Sequence, residues 1–276
     1  MSLIVNTNTA SINAMTSLNK TNRSLAKSFE RLSSGLRISR AADDAAGLGV
    51  AENLDNAARS AKVAMRNVND GISVIATAEG ATNEVSNILK RMRELAVQSA
   101  SETLADDERA YIQDEFSELS AEVDRIATVT EFNGTALADG STTQMGVQVG
   151  IGDTAADQID ITMGDYRATV LGVDTGAMDL SSSTGATSAL SALDDALDTV
   201  SSNRSKLGAS QNRLESALNN LETYHENLRS AESRIRDADF AYETAELTKN
   251  QIMQQAGVSV LAQAKGVSQS ALNLIG

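Results

Sequence analysis

Branched aliphatic residues recur every seven positions through the last third of the chain: Leu193, Val200, Leu207, Leu214, Leu221, Leu228 and Ile235. Leu190, Leu197 and Leu218 add a second row three or four residues away, interrupted by Arg204, Gln211, His225 and Glu232. A sustained seven-residue apolar repeat specifies a helix that packs along one seam of another helix. The pattern predicts one helix over about 186–235, near 75 Å long at ~1.5 Å per residue. A partner is predicted over about 44–99, where Ala61, Met65, Val68, Ile72 and Ile75 follow alternating steps of four and three. After one phase shift near Gly80 its stripe resumes at Val85, Ile88, Met92 and Leu95. Glycine in a helix costs about 1 kcal/mol relative to alanine, so Gly71 and Gly80 mark weak points or close contacts.

A shorter helix is predicted over 106–129, with Ile112, Phe116, Leu119, Val123 and Ile126 at the same spacing. Asp106, Asp107 and Glu108 open it with acid, where the helix dipole favours negative charge. The pattern then changes period. Met145, Val147, Val149 and Ile151 alternate with polar or glycine positions, as do Ile159, Ile161 and Met163. Period two predicts two strands joined through 152–157, a small β-hairpin within about 140–172. Asn133-Gly134 and Asp139-Gly140 are turn signals. A hairpin alone is marginal in water, so it should lie on the bundle. Residues 174–189, rich in Ser, Thr, Gly and Ala, read as a surface loop.

The two ends carry stripes of their own. Ile12, Met15, Leu18, Leu25, Phe29, Leu32 and Leu36 step by three, four or seven. Met253, Gly257, Val260, Ala264, Val267, Ala271 and Leu274 alternate steps of four and three. Ile252, Ala256, Leu261 and Leu272 widen that second stripe until little polar face remains. A helix apolar nearly all round must be buried on most sides, yet chain ends are usually exposed. One paired N-terminal helix covers one face only, which leaves the other faces for further copies. A contact offered on two different faces is heterologous and generates a helical filament when the rotation does not close. The other reading of the same pattern folds both ends back on the central bundle of their own subunit. The fold class expected is mainly α: a long antiparallel helical bundle or coiled coil with a small β-hairpin and paired N- and C-terminal helices. Three parts are expected, residues 1–43 and 236–276 as the two halves of a terminal helical domain, and 44–235 as the central bundle.

Composition sharpens this picture. The 276 residues include no Pro, no Cys and no Trp, with four Phe and four Tyr. Proline breaks helices, so its absence permits very long ones, and so few aromatics suit helix-on-helix packing. Without cysteine there is no disulfide framework, thiolate metal site or thiol nucleophile. Residues 1–30 lack the pattern of a cleaved secretory signal, and no run approaches the ~20 apolar residues of a membrane span. Net charge is −14, with +3 on residues 1–44, −2 on 237–276 and about −15 between. An acidic exterior argues against nucleic acid, whose binders present basic faces.

No catalytic constellation emerges. His225 stands alone without a second histidine or a cysteine to share a metal, and reads as a core-edge histidine. Gly146, Gly150 and Gly152 lack the Gly-Lys-Ser/Thr of a phosphate loop. Asp153, Asp157 and Asp160 miss the spacing of a calcium loop. Met15, Met65, Met92 and Met253 fall on apolar stripes. No catalytic residue, cofactor or metal is expected.

Several runs resemble the bacterial flagellins. Arg31-Leu-Ser-Ser-Gly-Leu-Arg-Ile followed by Ala42-Asp-Asp-Ala-Ala-Gly-Leu is similar to their N-terminal signature. Asn69-Asp-Gly-Ile-Ser, Arg91-Met-Arg-Glu-Leu-Ala-Val-Gln-Ser-Ala and Phe132-Asn-Gly resemble later blocks. Ser233-Arg-Ile-Arg-Asp-Ala-Asp-Phe-Ala and Gln251-Ile-Met-Gln-Gln-Ala-Gly-Val-Ser-Val-Leu-Ala-Gln-Ala resemble the C-terminal segment. These matches cover nearly all of 1–135 and 190–276. About 55 residues separate Asn133 from the long heptad helix, so the chain resembles a minimal flagellin without large variable outer domains. Gly266-Val-Ser-Gln-Ser stands where many relatives carry proline.

The resemblance implies a non-enzymatic structural subunit, secreted by type III export, that polymerises into the extracellular flagellar filament for swimming motility. It implies an inner tube assembled through Ile12, Met15, Leu18, Leu25, Phe29, Leu32, Met253, Val260, Ala264, Val267 and Leu274. The partners implied are other flagellin subunits in a homopolymer, the flagellar cap protein, the hook–filament junction proteins and an export chaperone at the C-terminus, with no membrane insertion. Recognition by the host Toll-like receptor for flagellin is implied through Arg91, Leu95 and Glu115. On the residues alone those three read first as a surface ion pair beside a core leucine. Two rival readings stay open: a hook–filament junction protein, and an extracellular coiled-coil binding module.

Overall fold

A computed structural model describes the backbone of residues 7–273 and the side chains of residues 7–266. Among the described residues six α-helices carry the fold: α1 (Thr9–Ser34), α2 (Ala45–Ser99), α3 (Asp106–Val129), α4 (Ala168–Leu171), α5 (Ser183–Arg236) and α6 (Phe240–Asn273). Each long helix starts where a short polar side chain or backbone acid satisfies its orphan N–H groups. Asn8 Oδ1 accepts from Ser11 N at 3.0 Å, Asp44 Oδ1 from Gly47 N at 2.9 Å and Asp239 Oδ1 from Ala241 N at 2.9 Å. In α3 the Glu108 carboxylate reaches back to the Ala105 N–H at 3.1 Å. Gly35 ends α1 in the left-handed conformation, φ 71°, donating to Arg31 O at 2.8 Å, the usual use of glycine after a last turn.

The chain forms two compact units, residues 58–225 and residues 1–57 with 226–276. In the first, α3 and the intervening segments pack on α2 and α5. The α2 seam buries Ala61, Ala64, Val68, Gly71, Ile75 and Ala78 and continues through Thr82, Val85, Leu89 and Met92 to Ala96 and Ser99, with alternating steps of three and four throughout. No phase shift occurs at Gly80, contrary to the pattern of large residues. The small residues Ala64, Gly71, Ala78 and Thr82 hold the seam in phase where large ones are missing. Thr82 Oγ1 meets its need by donating to Ala78 O at 2.6 Å. Gly71 is a close contact, since a Cβ there would stand 2.9 Å from Val147 Cγ2; at Gly80 a Cβ would meet nothing within 4 Å.

The heptad row of α5 is buried from Leu193 to Leu228. Its companion row is Ala189, Ala196 and Ser210, whereas the expected Leu190, Leu197 and Leu218 lie half-buried on the flank. Arg93–Asp194 at 2.6 Å and Arg204–Glu79 at 3.8 Å link α2 to α5 antiparallel.

The hairpin pairs β3 (Gln144–Gln148) with β4 (Gln158–Thr162), Val147 opposite Ile159 and Met145 opposite Ile161. Val147, Ile159 and Ile161 join a core with Val68, Ile75, Leu207 and Leu214. Ile151 lies beyond the strand and is exposed. A second ladder, β1 (Glu131–Phe132) with β2 (Thr135–Ala136), closes over Asn133 and Gly134 at φ 51° and 77°, the two-residue turn that Asn-Gly favours. The segment read as a 174–189 surface loop is partly core. Met178 and Leu180 are buried, Leu180 N donates to Gln113 Oε1 at 2.7 Å, and α5 begins at Ser183. Arg109 fastens the α2–α3 turn, donating to Ser99 O and Ser101 O at 3.1 and 2.9 Å.

Candidate assembly surface

In the second unit α1 and α6 lie antiparallel along one seam. Asn8 Nδ2 donates to Ala264 O at 2.9 Å, Gln254 Nε2 to Asn22 Oδ1 at 2.9 Å, and Arg31 pairs with Glu243 at 3.6 Å. The non-helical links between the helices pair as well. Arg37 N donates to Arg236 O at 2.7 Å and Ala238 N to Gly35 O at 2.9 Å, around a bridge between Leu36 and Asp237. Residues 35–44 fold back on α1, with Ile38 buried and Lys27–Asp43 and Arg40–Glu30 each at 2.6 Å. The hydrogen bond from Lys27 holds the Asp43 carboxyl below its ordinary value, against a smaller opposing effect of burial.

The residues that turn inward follow a heptad rhythm but are not the most apolar ones. On α1 they include Leu18, Thr21, Leu25, Ser28 and Leu32; on α6, Glu243, Leu247, Asn250, Gln254, Gly257 and Leu261. Only Ser28 and Glu243 among these are fully buried. Many large apolar side chains point elsewhere. Ile12, Met15, Phe29, Met253 and Val260 are each more than half exposed, as are Phe240, Tyr242, Ile252 and Val258. The expected assembly residues therefore divide. Leu18, Leu25, Leu32 and Ala264 are half-buried along the seam, while Ile12, Met15, Phe29, Met253 and Val260 face outward. Val267 lies in α6 outside the described side chains, and Leu274 lies outside the described residues. Phe240 and Tyr242 were not among the expected residues. Their signal was available: two aromatics at the start of a helix in a chain with eight Phe and Tyr.

A strip of this surface is a shallow apolar groove between the two helices, floored by Leu18, Ala14 and Gly257 and edged by Met253 and Val260. Leu18 Cδ1 lies 3.2 Å from where a Cβ on Gly257 would sit, so glycine lets the backbones approach there.

On the central unit, Arg91 donates from Nε and Nη2 to Glu115 Oε1 at 3.0 and 2.7 Å, and from Nη1 to Glu94 at 3.1 Å. These hydrogen bonds, with Glu115 foremost, hold the guanidinium more firmly protonated than usual. Leu95 is 1% exposed, in one core with Met92 and Phe116. The three residues expected to act together thus comprise a surface pair over a core side chain. His225 lies at the edge of the α5 seam, half-buried. Among the described residues no group of His, Cys, Asp or Glu is placed to hold a metal ion, and no helix is long and apolar enough to cross a membrane.

Comparison with known proteins matches residues 5–143 to the bacterial flagellin N-terminal helical region and residues 190–275 to the bacterial flagellin C-terminal helical region. The chain is 44% identical to flagellin of Halalkalibacterium halodurans over 273 residues, covering 99% of this chain and all of that one. It is 41% identical to Bacillus subtilis flagellin, covering 98% and 99%. The crystal structure of Bacillus cereus flagellin is 31% identical, with a TM-score of 0.50 over 56% of this chain and 88% of that chain. Full-length likeness at such identity, on a chain that carries both helical regions and little between them, places it plainly: it belongs to the bacterial flagellin family, as a minimal member.

Proposed function

We propose that this flagellin polymerises through the outward apolar rows of α1 and α6. As a member of its family the chain is a structural, non-enzymatic subunit of the flagellar filament, an extracellular homopolymer that serves motility. The observation that supports the terminal helices as the assembly elements is the inversion of their burial. Leucines share the α1–α6 seam with polar and small residues, while Ile12, Met15, Phe29, Met253 and Val260 stand in water. Contiguous exposed apolar surface marks an interaction site, and surface on both helices of a pair supports heterologous contacts, which propagate. In this reading 1–43 and 236–276 form the inner tube and 44–235 the outer. Export proceeds by the type III route, with a chaperone on the last helix, a cap protein at the growing end and junction proteins at the hook. Seeded polymerisation tests the central claim. The full chain should elongate seeds into hollow filaments seen by electron microscopy, and a chain lacking 1–40 and 240–276 should not. Elongation by the truncated chain would place the assembly contacts in the central unit.

The exposed Arg91–Glu115 pair supports a second reading, recognition of the free subunit by the innate Toll-like receptor for flagellin. Leu95, lying beneath the pair, would contribute by fixing its helix rather than by presenting its side chain. A reporter-cell assay should respond to micromolar monomer and lose most of the response with Arg91→Ala. Silence toward the unmodified monomer would rule this out.

A further inference from the structure

The α1–α6 seam raises a specificity problem. Antiparallel helices choose a register when large apolar residues of one find matching holes in the other. Here the α6 seam runs Glu243, Leu247, Asn250, Gln254, Gly257 and Leu261, with the two leucines as its only large aliphatics among the described side chains. On the α1 side Leu18, Leu25 and Leu32 repeat at heptad spacing, so a slip of seven residues replaces one leucine with the next. Burial alone therefore discriminates weakly between registers one heptad apart.

Glu243 can discriminate. It is 5% exposed, with Arg31 of α1 as its cationic partner and Arg31 itself about three-quarters covered. Its carboxylate also stands in the first turn of α6, where the helix dipole favours negative charge. A slip of seven residues toward the start of α1 would set the same carboxylate opposite Ser24, away from the Arg31 guanidinium, and a slip the other way would carry it past Ser34, the last residue of α1. An unpaired buried charge is strongly unfavourable, whereas a paired one contributes little net stability and its best-attested use is to fix registry. Asn22–Gln254 and Asn8–Ala264 lie further along the seam in the same register.

We infer that Arg31 and Glu243 are positioning residues for assembly: their buried ion pair extends into the helices the register begun at the Leu36–Asp237 bridge, and so sets which apolar side chains of α1 and α6 a second copy meets. The inference rests on the reading that the terminal pair carries the assembly contacts.

The test reports register directly. The chain has no cysteine, and a Cβ on Gly257 would lie 3.9 Å from Leu18 Cβ, within the Cβ–Cβ range of a disulfide of about 3.5–4.5 Å. Leu18→Cys with Gly257→Cys reports the native register, and Leu18→Cys with Asn250→Cys reports the one-heptad slip that sets Glu243 opposite Ser24. Both are read by mild oxidation of the soluble chain and of filaments grown on wild-type seeds. Against the native pair only the first should cross-link. In an Arg31→Met/Glu243→Leu background, which keeps the seam packed, the slipped cross-link should appear at a comparable level. Arg31→Glu or Glu243→Arg alone should slow seeded elongation about tenfold or more, from an unpaired or repelling buried charge, and the double exchange should recover most of that loss. A native-only cross-link in the apolar background, or a double exchange no better than its singles, would overturn the inference. If unmodified chain fails to elongate on seeds, the assembly reading falls instead, and the soluble-chain cross-links still decide the register.

Discussion

The central unit hides its large apolar side chains and the terminal unit displays them. Leu193, Val200, Leu207 and Leu214 on α5 are at most 2% exposed, whereas Ile12, Met15, Phe29 and Val260 on α1 and α6 are all above half. Both regions follow the same heptad rhythm. What differs is the number of helices over which that rhythm is satisfied. The central seam is closed by α2, α3, α5 and the hairpin, so each row finds a partner within the chain. The terminal pair closes one row only, with leucines interrupted by small and polar residues, most of them only half-buried. A region with its core inside is stable alone; a region with its core outside becomes stable by acquiring neighbours. The comparison sets a body whose core lies within the chain beside an end whose apolar rows, on the proposed function, are covered by other copies.

The largest expected effect would break the comparison at its central side. Phe116 is fully buried with Leu95, Met92 and Val123, and Phe116→Ala should cost the central unit about 3–5 kcal/mol, read as a fall in the denaturant midpoint. The counterpart on the terminal side is Met15→Ala, which should leave monomer unfolding within about 0.5 kcal/mol, as for surface substitutions. The same change should raise the critical concentration for elongation about tenfold, because burying a methionine contributes roughly 1.5–3 kcal/mol. Equal effects of Met15→Ala on monomer and polymer would erase the distinction drawn between the two regions.

Next come the two glycines of α2. Gly80 has open space and an exposed position, so Gly80→Ala should stabilise by up to about 1 kcal/mol through helix propensity. Gly71→Ala gains the same propensity but drives a methyl against Val147, whose branched side chain has little freedom in its strand. Overpacking costs about 1–3 kcal/mol, so the net change should be destabilising. Opposite signs in paired melting curves are the expected result; two stabilising substitutions would show that the hairpin yields easily.

The long helices were legible because a repeat of large residues is hard to produce by chance: α3 spans the expected 106–129, and α2 starts one residue from the expected bound. The second rows were not legible. Reading Leu190 and Leu197 as seam residues puts size ahead of geometry. Ala189, Ala196 and Ser210 are buried instead, because helices at close approach need small residues between them. The same habit produced a phase shift at Gly80 that the chain does not have. On the terminal unit the apolar count identified Met253 and Val260, but alternation alone could not tell an inward row from an outward one. Arg31 and Glu243 lie 212 residues apart, and no local pattern announces such a pair. The β1–β2 ladder escaped because two-residue strands carry no period, although its Asn-Gly turn was visible.

The smallest expected effect is acid dependence at the base of the terminal unit. Lys27 donates to Asp43 at 2.6 Å and holds its carboxyl below the ordinary value. A carboxyl depressed on folding adds stability at any pH above its unfolded value, about 3.9, and loses it as pH falls through the lower folded value. The contribution should therefore be complete at neutral pH and decline only below about pH 4. Lys27 is half exposed, and such pairs contribute roughly 0.2–1 kcal/mol, so the change should be slight. In Asp43→Asn the carboxyl is absent, and hydrogen exchange of residues 36–44 should respond less to acid than in the parent. The central unit offers an internal control in Asp165, which Arg167 holds below its ordinary value at 2.6 Å and which this substitution leaves alone. If the acid response of residues 36–44 is unchanged by Asp43→Asn, the Lys27 contact contributes nothing to holding that link on α1, and the hydrogen bonds of Arg37 and Ala238 across to the other link suffice.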